Sequence, residues 1–178
     1  LKDTSVFPKP LRDAEIALQL IRDHSDEWRV ITNKIAVIGF SAGGHLATAI
    51  GTMGVIKPNA LILGYPCVLE EGIEEGWPFA VPGTHKMVDS TTPESFIFHT
   101  FNDDLVPVKH ALVFAEALDK NRVPFDLHIF KNGVHGLSLG NDLVSNGSSN
   151  MVEVRYQEWF ELSVSWLQEV FRNTESTE

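Results

Sequence analysis

Lys34-Ile-Ala-Val-Ile-Gly-Phe-Ser-Ala-Gly-Gly-His-Leu-Ala47 is the stretch on which the reading of this chain turns. Its first half, Lys34 to Phe40, is a short β-branched run of strand character, and its second half leads into the helix-forming segment His45 to Met53. Between them Gly39-Phe-Ser-Ala-Gly43 forms a G-x-S-x-G, and this motif carries meaning when it lies between a strand and a helix. A serine hydroxyl is a weak nucleophile and has to stand clear of the backbone for a base to reach it. Flanking glycines permit the tight turn that exposes it. Ser41 is therefore the candidate nucleophile, and the Ala42 N–H, at the start of the helix, is the natural first donor to an oxyanion.

Outward from this point the chain repeats the same alternation. Ala60-Leu-Ile-Leu-Gly-Tyr65 and Ser95-Phe-Ile-Phe-His-Thr100 are nearly continuous apolar runs, as expected of strands covered on both faces of a parallel sheet. Phe125-Asp-Leu-His-Ile-Phe130 alternates, which suits a strand nearer the edge. Helical spacing marks Leu11 to Trp28, Val108 to Asn121 and a closing helix from about Met151 to Phe171. Strands alternating with helices predict one α/β domain over residues 1–178, a parallel sheet with helices on both faces and right-handed crossovers. Val68 to Pro93 resists the scheme, mixing acidic residues with Trp77-Pro-Phe79, and reads as a long insertion or lid. Trp77 and Phe79 are candidates for an apolar wall beside the site, or else pin the loop to the core. The tail Asn173 to Glu178 is polar and expected to fray.

Asp103 follows the end of the third strand run and His135 follows the fourth, so both belong to the carboxyl edge of the sheet, where Ser41 also sits and where such sheets bind ligands. Asp103 and Asp104 compete for the acid role. Among the 7 histidines, His135 lies between Val134 and Gly136 on a loop where its ring can reach Ser41. His99 and His128 lie within strand runs and His110 within a helix, which ordinary packing explains. His45 is expected to make a structural hydrogen bond, while His24 and His85 read as surface residues. No His/Cys/Asp spacing supports a metal site.

The formal charge of −10, with 24 acidic against 14 basic residues, repels nucleic acid and anionic membrane alike, so neither is expected as a partner. Cys67 is the single cysteine; it cannot form an internal disulfide and reads as a buried, inert thiol. No apolar run reaches the ~20 residues of a membrane span and no signal pattern is visible, so the cytoplasm is the expected compartment, although the first residue is Leu1 and an upstream signal would not be seen.

Three stretches together resemble the acetyl-esterase and xylan-esterase-like branch of the α/β-hydrolase family: Gly39-Phe-Ser-Ala-Gly-Gly-His-Leu-Ala47, His99-Thr-Phe-Asn-Asp-Asp-Leu-Val-Pro107, and Val123-Pro-Phe-Asp-Leu-His-Ile-Phe130 followed by Gly133-Val-His-Gly136. The similarity runs from about Pro10 to Trp166. It implies a serine ester hydrolase acting on small or acetylated sugar-like esters, with Ser41 attacking, His135 as base and, from the D-x-x-V turn that ends at Val106, Asp103 as the orienting acid. Such acyl transfer needs no cofactor. It also implies an upstream H-G-G-type segment and strands one to four, which have no counterpart in these residues; one missing oxyanion donor typically costs about 10²–10³ in rate. A non-catalytic remnant serving as a binding or assembly module, and a prolyl-peptidase-like serine peptidase, stay open as alternatives. The run Ile35 to Phe40, apolar on both faces, reads as a central strand. Without its outer neighbour it predicts self-association or docking of a separate N-terminal half.

Overall fold

A computed structural model describes residues 7–70 and 81–173. Trp77, Phe79, the middle of the expected insertion and the tail from residue 174 lie outside the described residues. Among those described, β1 (Ala36–Phe40), β2 (Ala60–Gly64), β3 (Glu94–Thr100) and β4 (Phe125–Phe130) form one parallel sheet in the order β1-β2-β3-β4. The register runs Phe40 beside Gly64, Gly64 beside Phe98 and Thr100 beside Phe130, so the carboxyl ends of neighbouring strands lie side by side.

Right-handed crossovers that always step in one direction bring their helices to the same face. The helices α3 (Ala42–Thr52) and α4 (Lys109–Lys120) do lie together, over Leu61, Leu63 and Ile97, with Phe114 and Leu118 of α4 fully buried. The opposite face carries Ile62, Phe96 and Phe98 and is covered by α5 (Glu158–Asn173) through Trp159 and Trp166. Every residue of β2 is buried, as its unbroken apolar sequence requires. The helix α1 (Pro8–Asp23), with Pro at its first positions, packs Leu18 against Ile35 and Ile50, and the short α2 (Ser25–Trp28) ends it.

Two expectations are corrected. The closing helix begins at Glu158 and not near Met151, which sits in a 3₁₀ turn, Ser149–Met151. The apolar residues read as its first turns belong to a loop that drives Tyr156 into the core beneath Phe98 and Phe130. The strand β1, expected to lack an outer neighbour, is indeed an edge of the described sheet, and Ile38 on it is 50% exposed. His85, read as a surface residue, is half-buried, with its Nδ1 3.2 Å from the Val68 carbonyl oxygen.

Candidate active site

Ser41 is the residue between β1 and α3, and its backbone is held at φ 54°, ψ −119°, a conformation that L-residues avoid. Three hydrogen bonds clamp it there. The Ser41 N–H donates to the Gly64 carbonyl (3.0 Å), and the Ser41 carbonyl accepts from the N–H groups of His45 (3.1 Å) and Cys67 (3.2 Å). Close approach makes two glycines obligatory: a Cβ at Gly39 would overlap the Gly43 carbonyl, and one at Gly44 would lie 2.8 Å from Pro66. Ala42 opens α3, so its N–H is among the first-turn donors a helix cannot satisfy internally.

The structure brings Ser41, His135 and Asp103 into one line. His135 Nε2 is 2.8 Å from Ser41 Oγ, and Nδ1 is 2.9 Å from Asp103 Oδ2. An ionised carboxylate only accepts, so Nδ1 carries the ring proton and Nε2 accepts from the serine hydroxyl. The Asp103 side chain is 1% exposed. Burial opposes its ionisation, but hydrogen bonds from His135, from His99 and from the Val106 and Leu105 N–H groups outweigh it and hold the carboxyl well below the usual carboxylate range. Such an arrangement can pass the Ser41 proton to His135 while a fixed anion faces the imidazolium that results.

The Asp104 carboxylate takes a different partner: its Oδ1 accepts the His135 N–H at 3.1 Å, fixing the backbone of the loop that carries the ring. Three further residues at this edge escaped the sequence reading. His99, assigned to ordinary packing, donates from Nε2 to the Val106 carbonyl (2.8 Å) and lies 3.5 Å from Asp103 Oδ2; its i, i+4 spacing to Asp103 was the available signal. Tyr65 lies against His135, and no sequence pattern marks it except its place before Pro66. Cys67 is buried as expected but sits beside Ser41; burial first, and the Asp103 charge, push its thiol up to about 11, against the Ser41 hydrogen bond. His45 Nε2 donates to the Pro82 carbonyl at 3.0 Å, tying α3 to the returning arm of the insertion. Among the described residues no cluster of three or more His, Cys, Asp or Glu could hold a metal ion.

Comparison with known proteins places this geometry in context. A family model described as BD-FAE matches residues 1–60, and that of the prolyl oligopeptidase family matches residues 80–174. The chain is 51% identical to MGS-M1, an alpha/beta hydrolase enzyme from a Medee basin deep-sea metagenome library, whose crystal structure superposes with a TM-score of 0.86 over 96% of this chain and 68% of that one. The acetyl ester-xyloside bifunctional hydrolase of Caldicellulosiruptor lactoaceticus is 35% identical, with a TM-score of 0.74 over 92% of this chain and 66% of that one. An acetylxylan esterase of Xylanibacter ruminicola is 30% identical over 151 residues, 74% of this chain and 32% of that protein. The chain spans between 26% and 32% of the length of the curated relatives it matches.

Proposed function

We propose, from the premise that this chain belongs to the α/β-hydrolase family, that it is a serine carboxylic-ester hydrolase acting on small or acetylated sugar-like esters. The observation that carries the reading is the unbroken hydrogen-bond line from Ser41 Oγ through His135 to Asp103. Ser41 Oγ attacks the ester carbonyl carbon as its proton moves to His135 Nε2, and the Ala42 N–H donates to the oxyanion. The carbonyl–alkoxy bond then breaks, and the leaving alcohol takes the proton from Nε2. Water repeats the sequence, releasing the acid and restoring Ser41. Asp103 holds the Nδ1–H tautomer and balances the transient imidazolium. The preference for acetylated sugars is supported by relatives named as an acetylxylan esterase and an acetyl ester-xyloside hydrolase.

Labelling with a fluorophosphonate probe tests the assignment. The parent chain is expected to label at Ser41 and to hydrolyse a short-chain aryl acetate, and Ser41→Ala to do neither; equal hydrolysis by the alanine variant overturns it. The prolyl oligopeptidase match spans both Asp103 and His135, which favours a peptidase as the second reading. Faster cleavage of a proline-containing peptide amide than of an acetyl ester would select it.

The exposed edge of β1 supports a further element of the proposal. Ile38 is half-exposed, and an apolar groove of about 330 Å³ runs along Ala14, Leu18, Val37, Ile38 and Leu46. Unpaired N–H and C=O groups beside apolar side chains are a template for another chain. On this reading the edge is the place where a further strand, such as that of a second copy, would pair.

A further inference from the structure

We propose that Tyr65 is a positioning residue for His135, its ring serving as the wall that fixes the imidazole and its hydroxyl tying down the loop that carries it. The inference rests on the hydrolase reading above and adds a residue to it. The Tyr65 and His135 rings lie 4.9 Å apart at 69°, edge against face. The phenolic oxygen accepts the Ser138 N–H at 3.2 Å, three positions beyond His135. One side chain therefore holds the ring and the far arm of its loop at once.

The backbone gives a reason to assign this a purpose beyond packing. Tyr65 has φ 36°, a conformation a bulky residue rarely adopts, and it precedes Pro66, which by itself favours extended backbone. Surrounding contacts hold it there: its N–H donates to the Phe98 carbonyl at 2.7 Å, and its ring packs against Phe40 and Phe98. Strain of this kind persists where the neighbourhood over-determines a geometry. The same short segment also clamps the nucleophile, because the Gly64 carbonyl and the Cys67 N–H are the partners of the Ser41 backbone. Gly64 to Cys67 is thus a common footing for Ser41 and His135, with Tyr65 as the part that reaches the base. A rigid footing sets the nucleophile–base distance without substrate, and an error near 1 Å there can cost about 10²-fold in rate.

Two variants separate this role from bulk packing. Tyr65→Asn removes the ring while tolerating the left-handed backbone; it is expected to lower kcat about 10²-fold and leave KM nearly unchanged. Tyr65→Phe keeps the ring and loses only the Ser138 bond, which should cost about fivefold in kcat at unchanged KM and speed exchange of the Ser138 amide. NMR supplies a readout independent of turnover: the His135 Nδ1 proton bonded to Asp103 should persist in the parent and in Tyr65→Phe and vanish in Tyr65→Asn. A folded Tyr65→Asn with the parental kcat and the parental Nδ1 proton overturns the proposal. If Tyr65→Asn does not fold, an unchanged Ser138 exchange rate and kcat in Tyr65→Phe overturn it. A parent that neither labels nor hydrolyses sinks the hydrolase reading instead, and the Nδ1 proton still decides the role of Tyr65.

Discussion

Asp103 and Asp104 are adjacent carboxylates with divided work, one bonded to the His135 ring and the other to the His135 backbone. Asp103→Asn should therefore lower turnover by about 10⁴, since an amide favours the wrong tautomer of the ring. Asp104→Asn keeps an acceptor oxygen and should stay within about tenfold of the parent; the opposite ranking in steady-state kinetics would reassign the acid. Asp103 also makes a prediction about acid stability. Its folded carboxyl binds a proton at lower pH than its ordinary value of 3.8, so the unfolded chain takes up that proton first. The stabilisation is present above that value and is lost as pH falls toward the folded one. Thermal melts of the parent between pH 5 and 2 should fall more steeply than those of Asp103→Asn. Ser41, Asp103 and His135 were legible because each sits in a local motif at a strand end. Tyr65 was not, because its meaning depends on how the turn after β2 folds back beneath the site, and the i, i+4 spacing of His99 to Asp103 points to a contact only once the turn after β3 is known.

Among elements, the β1–Ser41–α3 elbow is where backbone meets backbone most closely. Gly39→Ala places a Cβ into the Gly43 carbonyl and Gly44→Ala one against Pro66, and each should destabilise by about 1–3 kcal/mol in denaturant titration. Gly43 offers the internal control: a Cβ there meets nothing within 4 Å, and Gly43→Ala in a helix should gain ~0.5–1 kcal/mol. Equal losses at all three positions would refute the packing account. The helix α3 carries a second titration. Burial lowers the pKa of His45 from its ordinary 6.5, against the Pro82 bond that raises it. The folded chain thus resists protonating His45, and stability should decline as pH drops through and below 6.5. His45→Gln, read by melts at pH 8 and pH 5, should flatten that slope. The strands and α4 were legible from apolar runs and helical spacing. The start of α5 was not, because Tyr156 is apolar for the sake of the core and not of a helix face.

On the scale of the molecule, the open edge of β1 sets the expectation. The chain of 19.8 kDa should elute in light-scattering gel filtration as a larger species at micromolar concentration, and Ile38→Lys, which puts a charge on that edge, should return it to a monomer. A monodisperse parental monomer with one cooperative melt would refute association. That β1 lies at the described edge was legible from the family resemblance and not from Ile35 to Phe40, whose composition matches that of β2; strand order is a property of the sheet and not of the strand. No helix among the described residues is long and apolar enough to cross a membrane.

The indole of Trp159 lies nearly parallel to the Phe98 ring, 4.2 Å away at 5°, and its Nε1–H donates to the Ser138 carbonyl, on the same residue whose N–H Tyr65 holds. Trp159 is thus a natural optical reporter wired to the loop that carries His135. Its emission should be blue-shifted and its near-ultraviolet dichroism intense; the other three of the 4 tryptophans, Trp28, Trp77 and Trp166, are replaced by Phe to isolate its signal, since Trp166 is also buried, against Phe96. Any event that moves the His135 loop, whether acylation of Ser41 or an altered Tyr65, should be visible as a change in Trp159 fluorescence without an added dye.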